Sequence, residues 1–131
     1  MNDLVLLGKA LADPTRIRIL AALRLSELCV CELGDALEMS QSTLSTHLQT
    51  VRQAGLVNTR KDGKWIYYGL EATTAPLLDT IFCAHENALS LDKRLKRDAD
   101  GVQKRLQLRV DGCCTLGSGQ LNATQEGGEK Q

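Results

Sequence analysis

The stretch SQSTLSTHLQTVRQAG, residues 40–55, decides how the fold of this 131-residue chain is predicted. Ser40 is of a type that caps the N-termini of helices, and Gly55 is of the type that follows their C-termini. No Pro or Gly interrupts the residues between them. The stretch therefore predicts a helix over residues 41–54, which a tight turn at 38–40 separates from a shorter helix before it.

The two faces of this predicted helix differ in chemistry. Leu44, Leu48 and Val51 recur at helical spacing and form an apolar face for the core. The other side carries mostly short, uncharged side chains that hydrogen-bond, where a solvated surface helix would usually carry Glu and Lys. Such a face can enter a major groove about 12 Å wide and meet base edges. The candidate DNA contacts of the helix are Gln41, Ser42, Thr43, Ser45, Thr46, Gln49 and Arg52.

Two strand-like runs after this helix predict a β-hairpin, the wing of a winged helix-turn-helix. They cover residues 57–60 and 65–70, and Asp62-Gly63 between them is a strong signal for a hairpin turn. Basic side chains near the tip suit contacts to DNA phosphates, although a charged tip is also ordinary surface chemistry. The candidate phosphate contacts are Arg60, Lys61 and Lys64.

The remaining pattern predicts helices before and after this unit. Asp13 suits an N-cap and Pro14 a first helical position, and Asp98–Gly101 is expected to interrupt the helical pattern late in the chain. The fold class is mainly α (α+β), a winged helix-turn-helix with about five to six helices and one β-hairpin wing. We expect a DNA-binding and dimerisation domain over residues 1–110 and a flexible tail over 111–131. The other predicted helices cover about 4–11, 14 to 23 or 24, 30–38, a fifth from 76 onward, and 102–110.

Charge is unevenly distributed along the chain. The formal net charge is zero, yet residues 41–70 carry four basic side chains and one acidic one, a net +3. The most basic block therefore coincides with the predicted DNA-contacting block. No stretch approaches the roughly 18 apolar residues of a membrane span, and the N-terminus lacks a secretion signal. We expect a cytoplasmic protein without a membrane partner.

Two of the five cysteines lie one residue apart in ELCVCEL, residues 27–33. In a reducing cytosol they are ligands, redox groups or core residues rather than a disulfide framework, and closely spaced thiolates select soft ions. Cys29 and Cys31 point about 200° apart on a regular helix but to one side of an extended segment. Ion binding should therefore favour an extended or unwound start to the third helix, which supports the DNA-contacting helix. A helix N-terminus would lower the pKa of these thiols, and the neighbouring acidic residues would oppose that effect.

The other three cysteines have different settings. Cys83 lies among apolar residues and is expected to be a small core side chain. The adjacent pair Cys113 and Cys114 follows Asp111-Gly112 in a polar context, where core packing is not expected. One of this pair is a candidate to add a third thiol to Cys29 and Cys31, from the same or the opposite subunit.

Residues 4–70 resemble the arsenic-responsive repressors of the ArsR/SmtB family. The segments that carry the resemblance are ADPTRIRIL at 12–20, ELCVCEL at 27–33, SQSTLSTHL at 40–48 and RKDGKWIYY at 60–68. The resemblance implies a homodimer, joined through its first and fifth helices, that binds double-stranded operator DNA without a cofactor. It also implies a repressor of an arsenic-resistance operon, not an enzyme, which releases its operator when arsenite or antimonite binds the thiolates.

The chain departs from this family pattern at one position of the cysteine segment. Many members carry a third cysteine where this chain has Gly34. The site is therefore a two-thiol site, or one of the candidate ligands in the tail completes it. The candidate metal ligands are Cys29, Cys31, Cys113 and Cys114. Asp79, His85 and Glu86 do not have the spacing of the fifth-helix metal sites found in other relatives.

Three alternatives remain open at the level of sequence. The first keeps the repressor but changes its signal to cadmium, lead, zinc, a methylated arsenical or oxidation. The second is a thiol oxidoreductase, which is disfavoured because the chain has neither Cys-x-x-Cys nor a βαβ unit. The third is a winged helix that contacts another protein through the uncharged helix face.

Overall fold

Seven helices and a three-stranded sheet follow one another in the computed structural model, which describes residues 1–114 and 116–119. The described helices confirm the predicted winged helix-turn-helix, with one or two more than expected. None of them is long and apolar enough to cross a membrane. The elements are α1 (Asn2–Leu11), α2 (Pro14–Leu25), β1 (Leu28–Cys29), α3 (Val30–Leu37), α4 (Gln41–Gln53), β2 (Val57–Asp62), β3 (Trp65–Leu70), α5 (Ala75–Ala84), α6 (Glu86–Ser90) and α7 (Lys93–Leu106).

Local capping explains where α4, the helix that carries most of the candidate DNA contacts, begins and ends. The side chain of Ser40 accepts a hydrogen bond from the backbone N–H of Thr43, as expected of an N-cap. At the other end Gly55 has φ +75°, and the backbone N–H of Leu56 donates to the carbonyl of Val51. This left-handed ending favours glycine, so α4 stops where the sequence predicted.

The sheet contains one strand more than the predicted wing. β2 and β3 form the wing, and β1 pairs with the other edge of β3, giving the antiparallel order β1-β3-β2. In this register Tyr67 of β3 lies between Cys29 of β1 and Arg60 of β2. Two residues are too short a run for sequence alternation to reveal, so β1 was not predicted. It ties the cysteine segment directly to the wing.

The core forms where the helices α1 to α5 and α7 meet. Leu44, Leu48 and Val51 are at most 1% exposed, which confirms the predicted apolar face of α4. They pack with buried residues of α2 and α3, among them Leu20 and Leu33. Burial of these aliphatic side chains is the main stabilisation of the helix-turn-helix unit.

The prediction that Asp98–Gly101 interrupts the late helix is wrong, because α7 runs through it. Asp98 is buried and accepts from Nε of Arg18 at 2.7 Å. A Cβ at Gly101 would lie 2.5 Å from the carbonyl oxygen of Ala36, so only glycine lets α7 approach α3 this closely. These polar and glycine residues are explained by tertiary packing, whereas the sequence pattern suggested a break in the helix.

After α7 the chain turns back towards the cysteine segment. Asp111 and Gly112 both have positive φ and form the turn between Val110 and Cys113, which pair as an isolated β-bridge. Cys114 is therefore buried, which corrects the expectation of a polar, unpacked setting for it. The boundary at residue 110 stays a prediction, and most of the predicted flexible tail lies outside the described residues.

Candidate thiol site and DNA-contacting face

The candidate DNA contacts form one exposed surface. All seven candidates on α4 and all three on the wing are solvent-exposed in the structure. Gln41 differs from the others, because its side-chain amide donates to Oγ of Ser118 at 3.0 Å and contacts Sγ of Cys31 at 3.7 Å. The first residue of the DNA-contacting helix therefore also touches the cysteine segment.

Arg60 is exposed but already has partners within the chain. Its Nη2 donates to Oε1 of Glu27 at 2.6 Å, and its guanidinium lies 4.6 Å from the ring centroid of Tyr67. Lys64 lies over the ring of Trp65 at 5.0 Å and remains at the tip of the wing. Of the three basic wing residues, Arg60 thus joins the wing to the cysteine segment.

A pair of buried thiols lies at the N-terminus of α3. Sγ of Cys29 and Sγ of Cys114 are 3.3 Å apart, although the two residues are separated by 85 positions in sequence. Each is 1% exposed. Glu32 is adjacent, and one ligand atom from each of the three residues lies within 4.8 Å of the other two. This is the group with metal-ligand spacing among the residues that the structure describes.

The backbone at the start of α3 sets the positions of its two cysteines. Cys29 is the extended N-cap residue of the helix, with φ −80° and ψ 166°, and its N–H donates to Oε1 of Glu32 at 3.0 Å. Cys31 lies one residue into the helix, is half-buried and packs against the cluster of Cys29, Tyr67 and Cys114. Cys31 therefore borders the tight thiol group.

Arg109 fastens the C-terminal segment to the cysteine segment. Its Nε and Nη2 donate to the two carboxylate oxygens of Glu32 at 2.7 and 2.8 Å, and Nη2 also reaches the carbonyl of Glu27 at 2.7 Å. Glu32 is fully buried and Arg109 is 16% exposed. Such a two-pronged pair fixes geometry as well as charge.

Arg105 provides a second attachment of the same segment. It is fully buried, pairs with Asp35 at 2.9 Å, and donates to the carbonyls of Leu116 and Gly117 at 2.6 and 3.0 Å. Its Nη2 also lies 3.9 Å from Sγ of Cys114. Arg105 and Arg109 together hold the turn that carries Cys114 against α3.

Burial dominates the protonation of this site. It raises the pKa of the Cys29 thiol well above its usual value; the Glu32 backbone opposes that effect, and the Cys114 thiol and Glu32 carboxylate reinforce it. Burial would also raise the pKa of Glu32, but hydrogen bonds from Arg109 and from the Cys29 amide outweigh it and lower that pKa. The Cys29 thiol is therefore protonated at neutral pH, and the influence of the helix N-terminus is overcome.

The remaining cysteines lie outside the thiol pair. Cys113 is exposed, with Sγ 3.8 Å from Oδ2 of Asp62 in the wing. Cys83 is also exposed, so its expected place in the core was wrong. Leu78 and Phe82, four residues apart, form the buried stripe of α5, and Cys83 projects from the neighbouring face of that helix.

Sequence reasoning missed three residues of the site: Glu32, Tyr67 and Arg109. Glu32 follows Cys29 by three residues, the spacing of a helix capping box, and that spacing could have identified it. The hydroxyl of Tyr67 accepts the backbone N–H of Cys114 at 2.7 Å. No local pattern signals the contacts of Tyr67 or Arg109, because their partners lie 47 and 77 positions away.

Comparison with known proteins places this geometry in a family. Residues 13–59 match the family model described as "Bacterial regulatory protein, arsR family". The arsenical resistance operon repressor of Escherichia coli (strain K12) is 41% identical over 97 residues, which cover 70% of this chain and 83% of that protein. The arsenic resistance transcriptional regulator ArsR1 of Pseudomonas putida is 46% identical over 74 residues, or 56% of this chain and 58% of that protein.

A solved structure shows the same architecture. The homodimeric winged helix-turn-helix DNA-binding domain from Mycobacterium bovis is 29% identical, with a TM-score of 0.63 over 70% of this chain and 86% of that one. The family match, the winged helix-turn-helix and the exposed uncharged face of α4 agree with one another. The chain therefore belongs to the ArsR family of winged-helix transcriptional regulators, which bind DNA and are not enzymes.

Proposed function

We propose that this protein represses an arsenic-resistance operon and releases its operator when trivalent arsenic binds Cys29 and Cys114, with Cys31 as the adjacent third thiol. The observation that carries the proposal is the 3.3 Å separation of the Cys29 and Cys114 sulfurs in a buried cluster. That cluster lies at the N-terminus of α3, the helix that supports the DNA-contacting helix. Antimonite, which has the same preference for sulfur, is expected to act in the same way.

The sulfurs of Cys29 and Cys114 lie close enough together for one ion to bind both. Closely spaced thiols select soft ions, and trivalent arsenic and antimony bind three sulfurs in a pyramid.

Burial of Cys29 also favours arsenite, because it raises the pKa of that thiol, and a divalent cation requires deprotonated thiolates. Arsenous acid instead condenses with neutral thiols. Each step replaces one As–OH bond by an As–S bond, and the hydroxyl leaves with the thiol proton as water. Arsenic therefore keeps its oxidation state, and the buried site keeps its net charge.

The position of Gly34 explains why a distant thiol is needed. A Cβ at this residue would lie 3.1 Å from the carbonyl oxygen of Met39 and 3.5 Å from a methyl group of Leu44. A side chain here would crowd the packing of the turn before α4. Cys114, held by the segment after α7, is the thiol that this chain offers instead.

We further propose that two copies bind the operator together in the cytoplasm, joined through α1 and α5. Leu4 and Val5 of α1 are 72% and 61% exposed in the single chain, and Leu77 of α5 is 43% exposed. These apolar side chains support an interface there. The homodimeric relative from M. bovis supports dimerisation but does not locate the interface. Each copy would place α4 in a major groove, with half-sites about 34 Å apart.

Fluorescence anisotropy with labelled operator DNA tests the proposal. Arsenite should release the wild-type protein from its operator. It should not release Cys29→Ser or Cys114→Ser, which should still bind the operator without arsenite. Cys113→Ser is the matched control, because its thiol is exposed and lies outside the pair. Normal release of the Cys29→Ser protein by arsenite would refute the sensor assignment.

A methylated trivalent arsenical is the second candidate signal. Cys31 borders the tight thiol group and is not among the three residues whose ligand atoms lie within 4.8 Å of one another. A site with two thiols matches methylarsenite, whose methyl group leaves two exchangeable positions on arsenic. In the same assay, Cys31→Ser should lose its response to arsenite but keep its response to methylarsenite if two thiols suffice.

The other soft ions and oxidation are tested by further arms of this assay. Cadmium, lead and zinc could use the Glu32 carboxylate, but both of its oxygens already accept hydrogen bonds from Arg109. Hydrogen peroxide could join Cys29 to Cys114 by removing two hydrogens and forming two molecules of water. If one of these agents releases the protein from its operator at concentrations at which arsenite has no effect, that agent and not arsenic is the signal.

A further inference from the structure

The central strand of the sheet brings the thiol site and the wing to one residue. Tyr67 pairs with Cys29 of β1 on one side and with Arg60 of β2 on the other. Its side chain is 1% exposed, which is unusual for a tyrosine of a wing. The backbone position of Tyr67 is therefore tied at the same time to a proposed arsenic ligand and to a proposed DNA contact.

The side chain of Tyr67 also contacts both the Cys114 segment and Arg60 of the wing. Its hydroxyl accepts the backbone N–H of Cys114 at 2.7 Å, so the ring reaches the second thiol-bearing segment. The guanidinium of Arg60 lies 4.6 Å from the ring centroid, and that of Arg109 lies 5.5 Å from it. Cation–π contacts at these distances are attractive. The side chain of Tyr67 therefore contacts both the Cys114 backbone and the Arg60 guanidinium.

Two carboxylates lie within ion-pair distance of Arg60, that of Glu27 and, at 3.8 Å, that of Asp62 in the wing. In this structure Arg60 binds the carboxylate of Glu27, two residues before Cys29, at 2.6 Å. Arg60 and Glu27 are 53% and 39% exposed, so this pair is weak and readily exchanged. A DNA phosphate offers Arg60 a competing partner of the same charge. The guanidinium can therefore move between the cysteine segment and the DNA.

We propose that Tyr67 couples the thiol site to the wing, so that ligand binding at Cys29 and Cys114 changes the engagement of Arg60 with operator DNA. This rests on the proposed function of the same site. Binding of one ion by Cys29, Cys114 and the more distant Cys31 shifts the Cys114 backbone relative to β1, and the hydrogen bond from Cys114 carries that movement to Tyr67. The ring of Tyr67 then shifts beneath the Arg60 guanidinium, and this shift changes whether Arg60 binds Glu27 or a phosphate.

Tyr67→Phe tests the coupling because it removes only the hydroxyl that accepts the Cys114 N–H. Tyr68→Phe is the matched control on the same strand, where no hydroxyl hydrogen bond is found among the described residues. Two quantities are measured for each full-length protein. Trp65, the one tryptophan of the chain, packs against the thiol cluster, so its fluorescence reports arsenite binding without DNA. Anisotropy reports operator affinity with and without saturating arsenite.

The expected result separates binding from coupling. Arsenite should weaken operator binding by roughly 5–150-fold in the wild type and in Tyr68→Phe, but by less than about threefold in Tyr67→Phe. The Trp65 titration gives the arsenite concentration that saturates each protein, so a change of arsenite affinity in Tyr67→Phe does not enter the comparison of operator affinities. Glu27→Gln, a change at an exposed side chain, should also reduce the coupling while leaving arsenite binding intact.

Two other results have separate meanings. If Tyr67→Phe and Glu27→Gln both retain the wild-type loss of operator affinity, the coupling proposal is overturned and the proposed function stands. If the wild type holds its operator equally with and without arsenite, the proposed function fails, and the coupling fails with it. Circular dichroism of Tyr67→Phe verifies folding, and Glu27→Gln decides the question if that variant is unfolded.

Discussion

The DNA-contacting face and the thiol cluster are built in different ways. The face belongs mainly to one 13-residue helix, and its side chains are exposed and mostly uncharged. The cluster joins Cys29 to Cys114 across 85 positions, and its side chains are buried. The candidate DNA contacts are thus mostly close together in sequence, whereas the thiol pair forms only when the C-terminal segment packs against α3. Sensing in this chain should therefore be easier to disrupt than DNA binding.

Breaking the docking at Arg109 should have the largest effect. Arg109→Met leaves the Glu32 carboxylate buried without its partner and should lower the free energy of unfolding by about 3–5 kcal/mol. Arg97→Met is the matched control: Arg97 also joins α7 to the end of α3, through Glu38, but the pair is 61% and 50% exposed. The control should lose at most about 1 kcal/mol. Urea unfolding of both variants measures the difference, and equal losses would contradict the role of burial.

The pH dependence of stability provides a further check on this pair. The pKa of Glu32 is lowered below its usual 4.5 in the folded protein. Its contribution to stability is therefore fully present above pH 4.5 and is lost as the pH falls through the folded value. In Arg109→Met that acid-induced loss should shrink, because the lowered pKa depends on Arg109.

Removing one thiol should sharpen the contrast between sensing and DNA binding. Cys114→Ser should weaken arsenite binding by roughly 100-fold, since a ligand atom is lost, while Cys113→Ser should change it by less than about threefold. Operator affinity without arsenite should be the same for both. The Trp65 fluorescence titration gives the arsenite affinities. If Cys113→Ser has the larger effect, Cys113 and not Cys114 is the ligand that acts with Cys29.

A change on the candidate DNA-contacting face should weaken operator binding and leave arsenite binding unchanged. Gln49→Ala removes a side chain suited to adenine and should cost about 1–3 kcal/mol of operator binding, with relaxed specificity at one base pair. Arsenite affinity should stay at the wild-type value, because Gln49 is exposed on α4, away from the cluster. Competition binding with operators altered at single base pairs measures the effect. If the base-pair preference is unchanged at every operator position, Gln49 does not contribute to sequence recognition.

The smallest effect is expected at the wing tip. Replacing both Lys61 and Lys64 by Ala should weaken binding to all sequences alike and reduce the slope of log affinity against log salt by about 2. The double change Lys93→Ala with Lys96→Ala removes the same charge from exposed positions on α7 and serves as the control. Salt titrations with operator and random DNA distinguish the two. Equal slopes for both double variants would exclude phosphate contacts at the tip.

Local patterns predicted most of the fold, and they named both members of the thiol pair, Cys29 and Cys114, only among four candidate ligands. Capping residues and apolar spacing located α4 to within one residue, because such signals act over a single turn of helix. The same logic failed at Asp98–Gly101, where an ion pair with Arg18 and a close approach to Ala36 keep polar and glycine residues inside a helix. Local sequence patterns cannot distinguish residues that end a helix from residues that make a packing contact within one.

The sequence alone is enough to predict a winged helix with a mostly uncharged, exposed helix face and several candidate thiol ligands. The folded structure then shows that Cys114 joins Cys29, that Cys31 lies beside them, and that Arg109 and Tyr67 hold the segment in place. The difference arises from the distance along the chain over which each interaction acts. Helix caps, apolar periodicity and hairpin turns depend on neighbours a few residues away. A buried thiol pair depends instead on ion pairs and packing between segments that meet only after the chain has folded.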